Sequence, residues 1–170
     1  THPGATILHN IICSRAVPEI IREHGGVPVR TKVGHSNIKQ VMAETGAVFG
    51  GEHSAHYYFL DNFRADSGII AAMLVLAEMS RYGQPLSTVR QPFERYEASG
   101  EINTSVDDTT AVIGRIAKNY DFLPQDTLDG LTVDGGIGGS ACGRLIRNPF
   151  CASILKHQPE MSVMSAWQRC

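Results

Sequence analysis

The sequence lacks the features that would place a protein on a membrane or a nucleic acid. Its 170 residues carry 15 basic side chains against 17 acidic ones, with no polybasic stretch, which argues against a polyanionic partner. The longest apolar stretch, residues 68–77, is too short to span a bilayer, and the first residues show no basic-then-apolar signal. We therefore expect a cytoplasmic protein with a small ligand, no nucleic-acid partner and no membrane contact.

Cysteine is also scarce, and its spacing excludes the common cysteine frameworks. The four cysteines are Cys13, Cys142, Cys151 and Cys170, and no CxxC pair occurs. In a reducing compartment this pattern predicts free thiols rather than disulfides or a zinc ribbon.

The first half of the chain alternates between short apolar runs and amphipathic segments. Strand patterns at residues 5–8, 27–33 and 47–49 are each followed by a capping signal or a glycine. Asp66 can cap a long helix over residues 67–82. This segment is apolar around most of its surface, and we expect the helix to be covered on several sides. Repeated strand-helix units of this kind predict an α/β fold with a mixed sheet between helices.

A second, smaller α+β module is predicted after Pro85. Asp107 can cap a helix, and the Asp-Gly pair at Asp129 and Gly130 indicates a hairpin turn. We place one domain at residues 1–86 and the start of another at residues 87–135.

Residues 50–59, GGEHSAHYYF, place hydrogen-bonding side chains between a glycine pair and an aromatic run. The Glu52 carboxylate can accept bonds from vicinal hydroxyls, and the Ser54 hydroxyl can donate or accept. His56 is a candidate general acid or base. This composition indicates a site that recognises a sugar by hydrogen bonds to its hydroxyls.

Other interpretations of these residues remain open. His53 and His56, with Glu52, could be metal ligands of a hydrolase, although the two histidines lie beside a strand-like run and not on a clear helix. Ser54 lacks the flanking glycines of a hydrolase nucleophile elbow. Tyr57, Tyr58 and Phe59 are typical of strand packing.

Residues 136–170 have no clear periodicity and contain three of the four cysteines and the only tryptophan. New codons can be built from the third base of one residue's codon and the first two bases of the next residue's codon, starting at Gly136 and Ile137. Their translation can give the string DWWFSLRPSNTEPFLRLNIEA. Only one base of each new codon is free, so chance recovery is improbable. We interpret residues 136–170 as a frame-altered tail, expect poor order from Gly136 onward, and expect the chain, which opens without methionine, to be a fragment.

The two motifs together resemble those of the α-D-phosphohexomutases, the phosphomannomutase and phosphoglucomutase family. Residues 51–56, GEHSAH, are similar to the family's GEMSGH or GEHSGH sugar loop, and RPSNTEP is similar to the phosphate-binding loop of its C-terminal domain. The resemblance implies the third domain and an incomplete fourth domain. It also implies that Gly34, His35, Glu52 and Ser54 bind substrate, with His56 as the acid or base.

The resemblance further implies phosphoryl transfer between O1 and O6 of a mannose or glucose phosphate. The family uses Mg²⁺ and a hexose 1,6-bisphosphate, but its phosphoserine and Mg²⁺ loops lie in other domains, so no metal ligand is expected in this fragment. We predict that the chain is inactive alone. A non-catalytic sugar-phosphate-binding remnant and a metal-dependent hydrolase are the alternatives. Ala55 stands where the family usually has glycine, which puts a positive φ there in doubt.

Overall fold

A computed structural model describes the backbone of residues 3–101, 105–135, 139–145 and 148–156, and the side chains of residues 3–97 and 105–135. Its N-terminal part is built on a five-stranded sheet with the order β2-β1-β3-β4-β5. β1 runs parallel to both β2 and β3, whereas the pairs β3–β4 and β4–β5 are antiparallel. The predicted mixed sheet is confirmed. The strands are β1 Thr6–Asn10, β2 Val27–Thr31, β3 Phe49–Gly51, β4 Tyr57–Phe59 and β5 Ala65–Asp66.

Helices α1 (Ala16–Glu23) and α2 (His35–Thr45) cover opposite faces of this sheet. Side chains alternate along a strand, so Leu8 and Ile7 of β1 lie on opposite faces. Leu8 joins Ile38, Met42, Ala47 and Tyr58 in the buried core beneath α2. Ile7 lines an apolar groove with Ile20 and Ile21 of α1. The β1 strand is therefore the centre of a three-layer arrangement.

The helix α3 (Gly68–Tyr82) forms where it was predicted, but it is not covered. None of its residues is buried, and Ile69, Met73, Leu74 and Leu76 are each more than half exposed. The expectation of cover on several sides was therefore wrong for this chain. Apolar composition reports what a helix can bury, and the cover itself must come from other segments. None of the helices in the described ranges has the length and apolarity needed to cross a bilayer.

The C-terminal part contains a second five-stranded sheet with the order β6-β10-β9-β8-β7. Its buried cluster joins Ile116 to Leu131 and Val133. The elements are the short helix α4 Leu86–Val89, β6 Glu97–Glu101, α5 Thr109–Asn119, β7 Gln125–Asp126, β8 Leu131–Asp134, β9 Gly139–Leu145 and β10 Asn148–Lys156. The β7–β8 pairing confirms the hairpin predicted at the Asp-Gly turn.

Strands β9 and β10 lie in the segment for which the sequence predicted no regular element, so that expectation was wrong for residues 139–145 and 148–156. β9 pairs antiparallel with β8, and β10 pairs with both β9 and β6. Backbone N–H and C=O groups form these ladders whatever the side chains are, which is why weak apolar periodicity did not reveal them. The rest of the tail lies outside the described residues.

Among the described residues, the β7–β8 hairpin makes contacts with β2 and with the loops of the first sheet. The Val33 amide donates to Asp129 Oδ2 at 2.9 Å. Arg30 forms an ion pair with Asp126. Arg15 Nη1 lies 3.0 Å from Asp134 Oδ1. The hairpin therefore holds the segment that leads from β2 into α2.

Candidate functional site

The polar residues of interest collect at the carboxyl ends of the three parallel strands. Asn10 ends β1, Gly34 and His35 follow β2, and Glu52 follows β3. The chain crosses from β2 on one side of β1 to β3 on the other, and α1 and α2 lie on opposite faces. This reversal opens the crevice in which α/β sheets bind their ligands.

Glu52 is the buried centre of this group, with only 5% of its surface exposed. Its Oε1 accepts a hydrogen bond from the Tyr58 hydroxyl at 2.6 Å, and its Oε2 accepts from the Gly34 amide at 3.0 Å and from Asn10 Nδ2 at 3.3 Å. Burial acts to raise the pKa of the Glu52 carboxyl. The three hydrogen bonds, with the nearby His35, outweigh burial and bring the pKa below its ordinary value. The carboxylate therefore remains ionised and ties the three strand ends together.

The hydroxyl of Tyr58 determines which nitrogen of His35 carries a proton. Burial and the bond to Glu52 raise the pKa of Tyr58 well above its ordinary value, so the hydroxyl stays protonated. Its single proton is donated to Glu52, and His35 Nδ1 lies 2.7 Å from the same oxygen. That oxygen can only accept from His35, so Nδ1 carries the hydrogen. In the neutral ring the Nε2 lone pair of His35 is therefore available to a ligand.

His56 is oriented in a similar way by Asp66. His56 Nδ1 lies 2.6 Å from Asp66 Oδ2, and Asp66 Oδ1 accepts the Tyr57 amide at 2.8 Å. The bond from His56 is the main cause that brings the pKa of Asp66 below its ordinary value. An ionised carboxylate only accepts, so His56 Nδ1 carries the hydrogen and its neutral ring presents the Nε2 lone pair. The rings of His35 and His56 are 4.5 Å apart between centroids.

The remaining residues of the loop form an exposed turn between β3 and β4. The Glu52 amide donates to the His56 carbonyl at 2.9 Å, and the Ala55 amide donates to the Glu52 carbonyl at 3.0 Å. Ala55 has a φ of 65°, so the left-handed conformation that the sequence put in doubt is present. His53 and Ser54 are exposed in this turn.

Of the five predicted site residues, four come together in one group. Gly34, His35 and Glu52 are linked directly or through Tyr58, and His56 packs against His35. In the described part of the chain, no hydrogen bond joins Ser54 to this group. The suggested metal set does not form either, because the close donor cluster found among the described residues consists of His35, His56 and Asp66.

Comparison with known proteins identifies the family. The model of the phosphoglucomutase/phosphomannomutase alpha/beta/alpha domain III matches residues 1–96. The chain belongs to the phosphoglucomutase/phosphomannomutase family.

Relatives in this family are considerably longer than the chain. The phosphohexose mutases of Xanthomonas campestris pv. campestris are 38% identical over 137 residues, which covers 79% of this chain and 31% of the relative. The phosphomannomutase of Methanocaldococcus jannaschii is 35% identical over 130 residues, covering 76% of this chain and 29% of that protein. The chain thus spans about a third of the length of these phosphohexomutases.

Solved structures of related proteins show the same fold. A phosphoglucomutase/phosphomannomutase family protein from Burkholderia thailandensis has a TM-score of 0.81 and 25% identity, covering 98% of this chain and 36% of that one. A phosphomannomutase-like structure from Thermus thermophilus has a TM-score of 0.70 at 16% identity, covering 99% of this chain and 36% of that one, and supports the fold alone.

Sequence reasoning missed three residues of the candidate site: Asn10, Tyr58 and Asp66. Asp66 was predicted to cap α3, but Ser67 is the cap, since its hydroxyl accepts from the Ile70 amide. Tyr58 was interpreted as strand packing, and it is both fully buried and hydrogen-bonded. A hairpin pattern over β4 and β5 could have revealed the role of Asp66, because the pairing of these strands brings Asp66 beside His56.

The Mg²⁺ that the family implies does not fit the donors of this site. Mg²⁺ prefers oxygen ligands in octahedral geometry, whereas the close cluster here offers two imidazoles and one carboxylate. Both oxygens of Asp66 already accept hydrogen bonds. No catalytic step through Mg²⁺ is therefore derived from these residues.

Proposed function

We propose that this chain is the sugar-recognition part of a phosphohexomutase that transfers a phosphoryl group between O1 and O6 of mannose or glucose phosphates in the cytoplasm. The observation that carries the proposal is the pair of imidazoles, His35 and His56, each with Nδ1–H bound to an acceptor. They stand at the carboxyl ends of the parallel strands, where the fold binds ligands.

His56 is the proposed general acid and base. Its Nε2 lone pair can accept a proton from a sugar hydroxyl as that oxygen attacks phosphorus, and it can return the proton in the reverse transfer. Asp66 acts as a positioning residue, because it fixes the ring orientation and stabilises the imidazolium that forms. Well-placed acid-base catalysis of this kind contributes about 10² to 10⁴ in rate.

His35, Ser54 and Glu52 would form hydrogen bonds with the substrate hydroxyls, and Glu52 would use the lone pair that is not already occupied. Three of the roughly four lone-pair sites of the Glu52 carboxylate are occupied by Asn10, Gly34 and Tyr58. One is left for a sugar hydroxyl, and the ionised carboxylate makes it a strong acceptor. Gly34 has a φ of 116°, which lets its amide turn toward Glu52 and would strain any residue with a side chain.

The isolated chain is proposed to bind hexose phosphates without interconverting them. Phosphoryl transfer depends mostly on positioning and charge neutralisation at phosphorus. The resemblance assigns the phosphoserine and Mg²⁺ loops to other domains, and the RPSNTEP loop appears only in the shifted frame. The hexose 1,6-bisphosphate intermediate therefore lacks its expected phosphate contacts here.

The experiment measures binding and turnover separately. We expect calorimetry to detect mannose 1-phosphate or glucose 1-phosphate binding, weakened at least about tenfold by His56→Ala and little changed by His24→Ala, which alters a histidine on α1's C-terminal side. We expect a coupled assay to detect no conversion of mannose 1-phosphate to mannose 6-phosphate. Conversion by the purified chain, or equal binding by His56→Ala, would contradict the proposal.

The shifted frame favours a second candidate, a remnant that only binds sugar phosphate. Nucleotide sequencing across the codons for residues 133–142 separates the two. A recovered base that restores RPSNTEP would assign the chain to an ordinary phosphohexomutase. If the shift is genuine, adding the other domains of the family in trans would give no turnover in the remnant.

A further inference from the structure

We propose that His35 and His56 form a binding site for a borderline-soft divalent cation such as Zn²⁺, with each ring contributing Nε2 as a ligand. The ring centroids are 4.5 Å apart, and His35, His56 and Asp66 each place a donor atom within 4.8 Å of the others. This set differs from the Glu52, His53 and His56 set suggested by sequence. The site does not depend on the proposed mutase function.

The hydrogen bonds of the two rings prepare both lone pairs for a metal. A metal binds imidazole through the nitrogen that carries no hydrogen, and Nδ1 of each ring is the protonated nitrogen. His35 is held in this tautomer by the Tyr58 hydroxyl at 2.7 Å, and His56 by Asp66 at 2.6 Å. Both lone pairs are therefore on Nε2 before any cation arrives.

The groups behind the two rings match the outer shell of known zinc sites. A ligating histidine there usually donates its other N–H to a carboxylate or another fixed acceptor, which orients the ring and raises its basicity. Asp66 supplies such a carboxylate directly, and Glu52 supplies one through Tyr58. The negative charge behind the rings also favours a bound cation.

The donor set selects among cations. Imidazole suits Zn²⁺, Cu²⁺ and Ni²⁺, whereas Mg²⁺ and Ca²⁺ prefer oxygen ligands. Two protein ligands leave coordination positions open, so we expect weaker binding than in a closed four-ligand structural site. His56 Nε2 has a single lone pair, so a bound Zn²⁺ would block the acceptor that the proposed reaction uses and compete with a hexose phosphate.

The test is a calorimetric titration of the full chain with ZnCl₂. The parent for all variants carries serine at Cys142, Cys151 and Cys170, so that these thiolates do not bind the zinc. We expect His35→Gln and His56→Gln each to weaken zinc binding at least about tenfold, and Asp66→Asn to weaken it by a factor of about 10. The matched control is His53→Gln, an exposed histidine of the same loop, which should stay within about twofold of the parent. MgCl₂ should give no binding at the same concentrations.

A second measurement on the parent alone guards against a misfolded variant. Zinc should shift the carbon-bound imidazole proton signals of His35 and His56 in ¹H–¹³C spectra and should raise the melting temperature of the parent. Unchanged signals from these two rings, or equal zinc affinity in parent, His35→Gln and His56→Gln, would overturn the site. Sugar-phosphate binding is measured separately without zinc. Its loss alone would count against the proposed function and not against the metal site.

Discussion

The Tyr58 hydroxyl lies 2.6 Å from Glu52 Oε1 and 2.7 Å from His35 Nδ1, so one buried oxygen joins the acidic centre of the site to its exposed histidine. This oxygen also connects β4 to the loop after β2, since Tyr58 lies in the middle of β4 and His35 opens α2. The hydrophobic core and the candidate site thus share a residue.

Tyr58→Phe tests this shared role. The substitution leaves the buried Glu52 Oε1 without its partner, which costs about 1 to 3 kcal/mol, and it also removes the acceptor of the exposed His35. We expect urea unfolding to show a loss of stability in that range. Tyr57→Phe is the control, because Tyr57 is half-buried and stacks on Phe49 through its ring. Equal small losses in the two variants would show that the Tyr58 hydroxyl contributes nothing.

Asp66→Asn tests whether Asp66 orients His56. An amide can present its N–H₂ group to the ring and offers no negative charge, so the preference for Nδ1–H should be lost. Side-chain ¹⁵N shifts of His56 should move toward a mixture of tautomers, while His35, held by Tyr58, should keep its shifts. Asp61→Asn, at an exposed aspartate of the following 3₁₀ turn, is the matched control. The orienting role is contradicted if the His56 shifts of Asp66→Asn equal those of the parent.

Ala55→Gly tests the strain in the loop. Ala55 has a φ of 65°, and the left-handed region costs a non-glycine residue about 1 to 2 kcal/mol. Glycine also makes the unfolded chain more flexible, which lowers the free energy of unfolding by roughly 0.5 to 1 kcal/mol. We therefore expect a net gain of about 0.5 to 1 kcal/mol in the free energy of unfolding.

The control for this substitution has the opposite sign. Ala43→Gly changes an exposed alanine inside α2 and should cost about 1 kcal/mol. Both variants are compared by urea unfolding. A loss of stability in Ala55→Gly would mean that the turn relaxes and that its alanine is not strained.

Asp129→Ala tests whether the second module holds the His35 loop. Asp129 Oδ2 accepts the Val33 amide at 2.9 Å, two residues before His35. Removing the acceptor should broaden or shift the amide signals of residues 32–36 and weaken hexose phosphate binding a few-fold. Asp129→Asn keeps an oxygen acceptor and should restore most of both. Asp121→Ala, at an exposed aspartate of the same module, should leave both unchanged. Identical spectra for Asp129→Ala and the parent would show that Asp129 does not hold the loop that contains His35.

Sequence predicted the parts of the molecule that depend on local patterning. Gly46 ends α2 in the left-handed conformation that a glycine adopts readily, and the strand-helix alternation predicted the right sheet class. Recognisable sequence motifs suggested four of the candidate site residues, which are Gly34, His35, Glu52 and His56. These features are encoded within windows of a few residues.

The features that were missed depend on contacts between distant segments. Asp66 and Ser67 are both good capping residues, and only the pairing of β4 with β5 decides that Asp66 turns to His56. Tyr58 belongs to an aromatic run typical of strand packing. Its hydroxyl gains a role because β3 ends beside Glu52 and α2 begins at His35. The exposure of α3 likewise depends on what the other segments cover.

The most direct test of the account is a titration of the ¹⁵N- and ¹³C-labelled chain with mannose 1-phosphate, followed through the side-chain signals of its histidines. We predict saturable shifts of His35 and His56, with His24 unmoved, because the proposed sugar site lies at the carboxyl ends of β1, β2 and β3. Saturable binding that leaves both His35 and His56 unmoved would place the ligand elsewhere and would contradict the account.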